Sequence, residues 1–126
     1  MSDKAVQQAR AQASAMVPPG ETLRHAVAVQ IWPKIAYAVG LLGPLVMPFV
    51  KHRTVAVTDA ALYVMSQKAV DRRVPLGSVP VRAEKGPGSM KMTMGALVID
   101  GEKMLFTKRP FTEEAERLAA AAGAAG

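Results

Sequence analysis

The chain has 126 residues, half of them apolar and 21% charged, which suits one domain with a single core and excludes a disordered or acidic solvating chain. It has no cysteine and two histidines, His25 and His52, so a disulfide framework, a thiolate zinc site and a cysteine nucleophile are excluded and no metal or cofactor is expected. Sixteen Lys and Arg against ten Asp and Glu leave +6, a balance that favours anionic partners, while six aromatic residues offer few rings for base stacking and tilt the choice from nucleic acid toward lipid.

Met1 to Met16 contain Asp3 and Lys4 and no apolar run of the length a secretion signal needs, so the chain is expected to stay in the cytoplasm. Ser2 is a candidate cap for a helix in which Val6, Ala9, Ala13 and Met16 share one face, ended by Pro18-Pro19-Gly20. That stripe is mostly alanine, so residues 1–20 are expected to form an arm that docks loosely or contacts another chain. From Thr22 to Ile31, Leu23, His25, Val27, Val29 and Ile31 alternate with Arg24, Ala26, Ala28 and Gln30, which predicts a strand with His25 as a core or boundary residue without chemistry.

Ile31 to Val50, IWPKIAYAVGLLGPLVMPFV, carries one charge, Lys34. The 16 uncharged residues after Lys34 would reach about 24 Å as a helix against a hydrocarbon core of about 30 Å, and Gly40, Gly43, Pro44 and Pro48 interrupt them. The breakers predict a helical stretch near Pro33 to Leu42, a bend at Gly43-Pro44 and a short return to Phe49.

Alternation resumes in Arg53 to Ser66, with a turn at Asp59-Ala60 between two paired strands. Val70 to Leu76 and Ser78 to Lys85 are two further strands, and Pro80 places the second at an edge. After the Gly86-Pro87-Gly88 loop, the alternating Met90, Met92 and Met94 read as core filling, and Asp100-Gly101 is a hairpin turn into Glu102 to Lys108. The chain ends in a helix with Pro110 closing the last strand, Thr112 as N-cap, Glu113, Glu114 and Glu116 on the N-terminal dipole, and Ala115, Leu118 and Ala122 facing inward.

Seven antiparallel strands closed by a C-terminal helix follow the order of a pleckstrin-homology-like (PH-like) barrel, and three segments carry the likeness. RTVAVTDAALYVMSQ resembles the second and third strands of bacterial PH-like domains, VDRRVPLGSV their basic strand and following corner, and PFTEEAERLAAAA their closing helix. The resemblance implies a mainly β (α+β) fold: a seven-stranded antiparallel barrel over residues 21–126 with a C-terminal capping helix, an extra N-terminal helix and an apolar insertion at 31–50. In PH domains the loop between the first two strands receives phosphoinositide head groups beside basic residues that open strand two. Lys51, His52 and Arg53 match that position, with Lys34 across the loop; bacterial members also form ring-like oligomers.

If the first two strands pair, a single bilayer crossing between them would separate them, so the insertion must go in and come back. Trp32, Tyr37 and Phe49 lie near its ends as aromatic anchors, Leu41, Leu42, Leu45 and Val46 form its apolar tip, and Lys34, Lys51 and Arg53 are placed to meet lipid phosphates at about 1 kcal/mol each. The reading favoured is a non-enzymatic cytoplasmic module attached peripherally to the inner membrane through anionic phospholipid. The alternative is a soluble scaffold that uses the same segment as an interface with a protein partner or in a homo-oligomer. Nucleic-acid binding through Arg72, Arg73, Arg82, Lys85 and Lys91 ranks below both, because Asp71, Glu84 and Asp100 interleave with them. Ser66, Ser78 and Ser89 lack a His and acid partner, so no catalytic residue is assigned.

Overall fold

The computed structural model describes residues 3–31, 51–66, 68–85 and 94–124. In chain order these form α1 (Asp3–Ser14), β1 (Leu23–Ile31), β2 (Lys51–Thr58), β3 (Ala61–Met65), β4 (Val70–Pro75), β5 (Val81–Lys85), β6 (Met94–Ile99), β7 (Glu102–Thr107) and α2 (Lys108–Ala124). The strands form one antiparallel sheet in the order β4-β3-β2-β1-β7-β6-β5. Among the described residues, element number, type and order agree with the expectation from the sequence; the helical stretch expected near Pro33 to Leu42 and the return to Phe49 lie outside them.

The sheet is not a closed barrel. β4 and β5 are its two edges, although only residues 76–80 separate them in the chain. Pro75 and Pro80 flank that corner and have no N–H to donate, and between them Gly77 donates to the Ala122 carbonyl and Ser78 to the Pro75 carbonyl. β1 pairs with β2 along its whole length but with β7 only at Gln30↔Leu105, so two ladders meet at a single residue pair. Val27, Val29, Val55, Val57, Leu62 and Val64 of one ladder and Leu97, Ile99, Met104 and Phe106 of the other bury into one core. β-Branched residues dominate the first ladder, as a pleated surface packed against another surface favours.

The turns follow from local chemistry. The Thr58 hydroxyl accepts from the N–H groups of Ala60 and Ala61, both at 3.1 Å, which fixes the β2–β3 turn. Asp100 and Gly101 have φ of 52° and 83°, the left-handed pair that a two-residue hairpin turn requires. Gly95 is required for a different reason: a Cβ there would run into the ring of Phe106, its cross-strand partner.

Among the described residues, two helices cover the sheet. On α2, Phe111, Ala115, Leu118, Ala119 and Ala122 are buried, and the Ala122 carbonyl accepts from Gly77 N–H at 2.8 Å, which fastens the helix to the β4–β5 corner. α2 starts at Lys108, four residues before the expected N-cap Thr112, because Pro110 falls in its first turn, where a missing N–H costs no helical bond. Glu114 is therefore beyond the first turn and serves a different purpose from the expected dipole partner. α1 also departs from the expected loose docking. Ala9 and Ala13 are 4% and 0% exposed, within a cluster that contains Ala26 and Ala56 of the sheet. Small side chains on both surfaces let the helix approach closely, and the alanine stripe that buries little area also leaves little gap.

Gly95→Ala is expected to lower stability by about 1–3 kcal/mol through overpacking against Phe106. Chemical denaturation checks this; an unchanged midpoint would show that the ring moves aside freely.

Candidate functional site

The last ladder position of β1 and the first of β2 are cross-strand partners, Ile31↔Lys51, so their Cα atoms lie about 5 Å apart. The chain therefore leaves and rejoins the sheet at the same end of the β1–β2 pair. Between these partners stand the sequence-predicted residues Trp32, Lys34, Tyr37, Leu41, Leu42, Leu45, Val46 and Phe49, which lie outside the described residues. Lys51 and Arg53, at the start of β2, are described.

Alternation along β2 sends Lys51 and Arg53 to one face and His52 to the other. Ile31, Lys51, Arg53, Val64, Asp71, Arg72, Glu102 and Met104 line a cleft of about 190 Å³ beside the ends of β1 and β2. Lys51 is exposed, whereas Arg53 Nε is ion-paired with Asp71 Oδ2, and its Nη1 donates to the His52 carbonyl at 2.8 Å. Arg72 Nη1 meets Glu102 Oε1 at 2.8 Å, bridging β4 to β7. Three cations thus share this cleft with two carboxylates, leaving one uncompensated positive charge. Of the expected basic group, Lys51 and Arg53 line this cleft and His52 does not; that Asp71 holds Arg53 is not visible in the sequence. On the opposite face, Gln12, Gln30, His52, Thr54, Thr107 and Phe111 help to line a second cleft of about 170 Å³ at the β1–β7 seam.

The other basic residues do not form one face. Arg72 and Arg73 are successive on β4 and project oppositely, and Arg73 Nε donates to Tyr63 Oη at 3.2 Å with its guanidinium 5.9 Å from the ring centroid. Arg82 and Lys103 flank Val98 across β5-β6-β7, and Glu84 bridges them at 3.1 and 3.9 Å, so their aliphatic stems lie along an apolar residue that is 2% exposed. The side chains of Lys85 and Lys91 lie outside the described residues, as do Met90, Met92 and Ser89. The hydroxyls of Ser66 and Ser78 are used in turns, with Ala69 and Pro75 respectively.

Two polar networks went unnoticed in the sequence because their members are far apart along the chain. Glu21 accepts from the Thr58 hydroxyl at 2.7 Å and from the Tyr63 hydroxyl at 2.7 and 2.9 Å. These two hydroxyl donors, Thr58 first, hold the Glu21 carboxyl below the usual carboxylate range, with Arg73 adding to the effect. The Tyr63 phenol is pushed up, first by burial and then by its bond to Glu21. In the second network Glu114, 8% exposed, accepts through Oε2 from Arg10 Nη1 and from the backbone N–H of Ala26, both at 3.2 Å.

Among the described residues there is no cluster of three or more potential metal ligands, and no helix is long and apolar enough to cross a membrane. Comparison of the chain with protein-family models, curated proteins and solved structures finds no match.

Because the carboxyl of Glu21 binds protons less readily in the folded chain than in the unfolded one, its contribution to stability is present above the ordinary carboxylate range and fades as pH falls through its lowered value. Urea titrations between pH 7 and pH 3 check this: Glu21→Gln is expected to be less stable at pH 7 and to lose less on acidification. Parallel curves for the two proteins would remove Glu21 from the acid response.

Proposed function

We propose that this chain is a non-enzymatic, PH-like binding module that attaches peripherally to the cytoplasmic surface of the inner membrane. The observation that carries the reading is the pairing of Ile31 with Lys51 at the two ends of a stretch whose single charge is Lys34. An apolar stretch with both ends on one side enters a bilayer from that side and does not cross it. The β1–β4 and β5–β7 ladders with a C-terminal helix support the PH-like assignment. The excess of six positive charges supports an anionic surface as the partner.

In this reading Leu41, Leu42, Leu45 and Val46 supply apolar area at the acyl boundary, Trp32, Tyr37 and Phe49 sit at head-group level, and Lys34, Lys51 and Arg53 meet phosphates. Arg53 must share itself with Asp71, so Lys51 carries more of the attraction at the base of the segment.

Replacing Leu41, Leu42, Leu45 and Val46 together with Ser is expected to weaken co-sedimentation with phosphatidylserine-containing vesicles at least tenfold without changing the circular dichroism spectrum. Lys51→Ala is expected to weaken it about fivefold, the equivalent of about 1 kcal/mol, and Asp71→Asn to strengthen it by releasing Arg53. Unchanged sedimentation of the four-Ser variant would remove membrane attachment. If that variant instead lost mass by light scattering, the segment would be an interface between copies of the chain.

A further inference from the structure

Along the edge that β1 turns toward β7, one residue is left unmet. Ala26 donates its N–H to Glu114 Oε2, away from β2, so Ala26↔Ala56 is a cross-strand pair without ladder bonds. Such pairs alternate with bonded ones, so Ala28↔Thr54 and Gln30↔His52 are of the same kind, and the N–H and C=O of Ala28 and Gln30 also point toward β7. Gln30 meets Leu105 there. Continued by two residues, that register would set Ala28 opposite Thr107, but β7 ends at Thr107 and Lys108 opens α2. The Ala28 N–H and C=O are left without a partner among the described residues.

Ala28 lines the cleft of about 170 Å³ at the β1–β7 seam, between Gln12 of α1 and Phe111 of α2. It is exposed, while Val27 and Val29 beside it are buried. Its cross-strand partner Thr54 is 3% exposed, with Cα atoms about 4.5 Å apart as in any pair without ladder bonds. The Thr54 hydroxyl has no hydrogen-bond partner among the described residues and is not sealed from water, so it opens into the cleft that Thr54 lines. A peptide donor, a peptide acceptor and the hydroxyl of a buried residue, all unspent, converge on one small space.

We infer that this cleft is a binding site for the uncharged carboxamide group of a small molecule: its C=O accepts from the Ala28 N–H and the Thr54 hydroxyl, and its N–H donates to the Ala28 C=O. A carboxamide carries donor and acceptor side by side, the complement of one residue's backbone edge. A carboxylate would set its oxygens against the Ala28 carbonyl, and an ammonium would leave the Ala28 N–H unmet. An added peptide strand needs several consecutive edge residues, whereas Leu105 holds Gln30 and Glu114 holds Ala26 on either side of this single free position. The site needs no charge from Lys51 or Arg53 and stands apart from membrane attachment.

Titration of the isotope-labelled full chain with benzamide, followed by amide chemical shifts, tests this. Saturable shifts at Ala28 and its neighbours on β1 and β7 are expected, with a Kd of about 1–10 mM as suits a fragment of this size. Benzoate, and N,N-dimethylbenzamide, which lacks the N–H donor, are expected to bind about fivefold more weakly, and Thr54→Val to weaken benzamide about threefold. The absence of saturable shifts in the unaltered protein overturns the site however the variant behaves. Equal affinity for the three compounds, shifts centred away from the seam, or a Thr54→Val protein that binds benzamide as before would each overturn it too.

Discussion

The constraint on which the rest of the molecule depends is the antiparallel register of β1 and β2, continuous from Val57 opposite His25 to Lys51 opposite Ile31. A one-residue slip would turn Val27, Val29, Val55 and Val57 out of the core, so the hydrophobic pattern locks the register strongly. That lock fixes where the intervening 19 residues begin and end. A segment with so few charges would suggest a membrane crossing if its flanks were free. Its flanks are not free: Ile31 and Lys51 are paired, so both of its ends lie at one end of the β1–β2 pair.

β1 is also the strand on which both ladders and both helices converge. One edge is fully engaged by β2, while the other meets β7 only at Gln30, so a backbone donor upstream on that edge needs another acceptor. Ala26 N–H finds it in Glu114. This explains why a carboxylate is tolerated at 8% exposure in an otherwise alanine-, leucine- and phenylalanine-faced helix: it answers a peptide N–H and a guanidinium together. The same carboxylate joins α1 to the sheet, so residues 3–14 are held by a charged contact at their middle as well as by the close fit of Ala9 and Ala13.

The fold was legible in the sequence wherever its cause is local. Alternation placed β1, β2 and β3, Asp59-Ala60 placed the β2–β3 turn and Asp100-Gly101 the β6–β7 turn, and Pro80 marked the edge strand β5. What the sequence concealed depends on partners distant along the chain. Glu114 looked like a dipole residue because Thr112 offered a cap, whereas the helix had already begun and turned Glu114 toward Arg10, 104 residues upstream. Asp71 looked like a strand carboxylate interleaved with arginines, and only the β2-β3-β4 pairing puts it against Arg53. Closure of the barrel was inferred from strand number and order, neither of which registers that the corner's N–H groups are spent elsewhere, Gly77 on the Ala122 carbonyl of α2 and Ser78 on the Pro75 carbonyl. The basic group Lys51, His52 and Arg53 at the base of the apolar segment is divided by the strand's alternation, which puts Lys51 and Arg53 on one face and His52 on the other.

The single tryptophan, Trp32, is adjacent to the last residue of β1 and stands where the one-sided segment departs, so it reports on the central claim without substitution. Its fluorescence in the presence of anionic vesicles is the most direct measurement. The account predicts a shift of emission to shorter wavelength and strong quenching by lipids brominated high on the acyl chain, with much weaker quenching by bromines near the bilayer centre. Emission unchanged by saturating lipid, or quenching greatest at the centre, would contradict it.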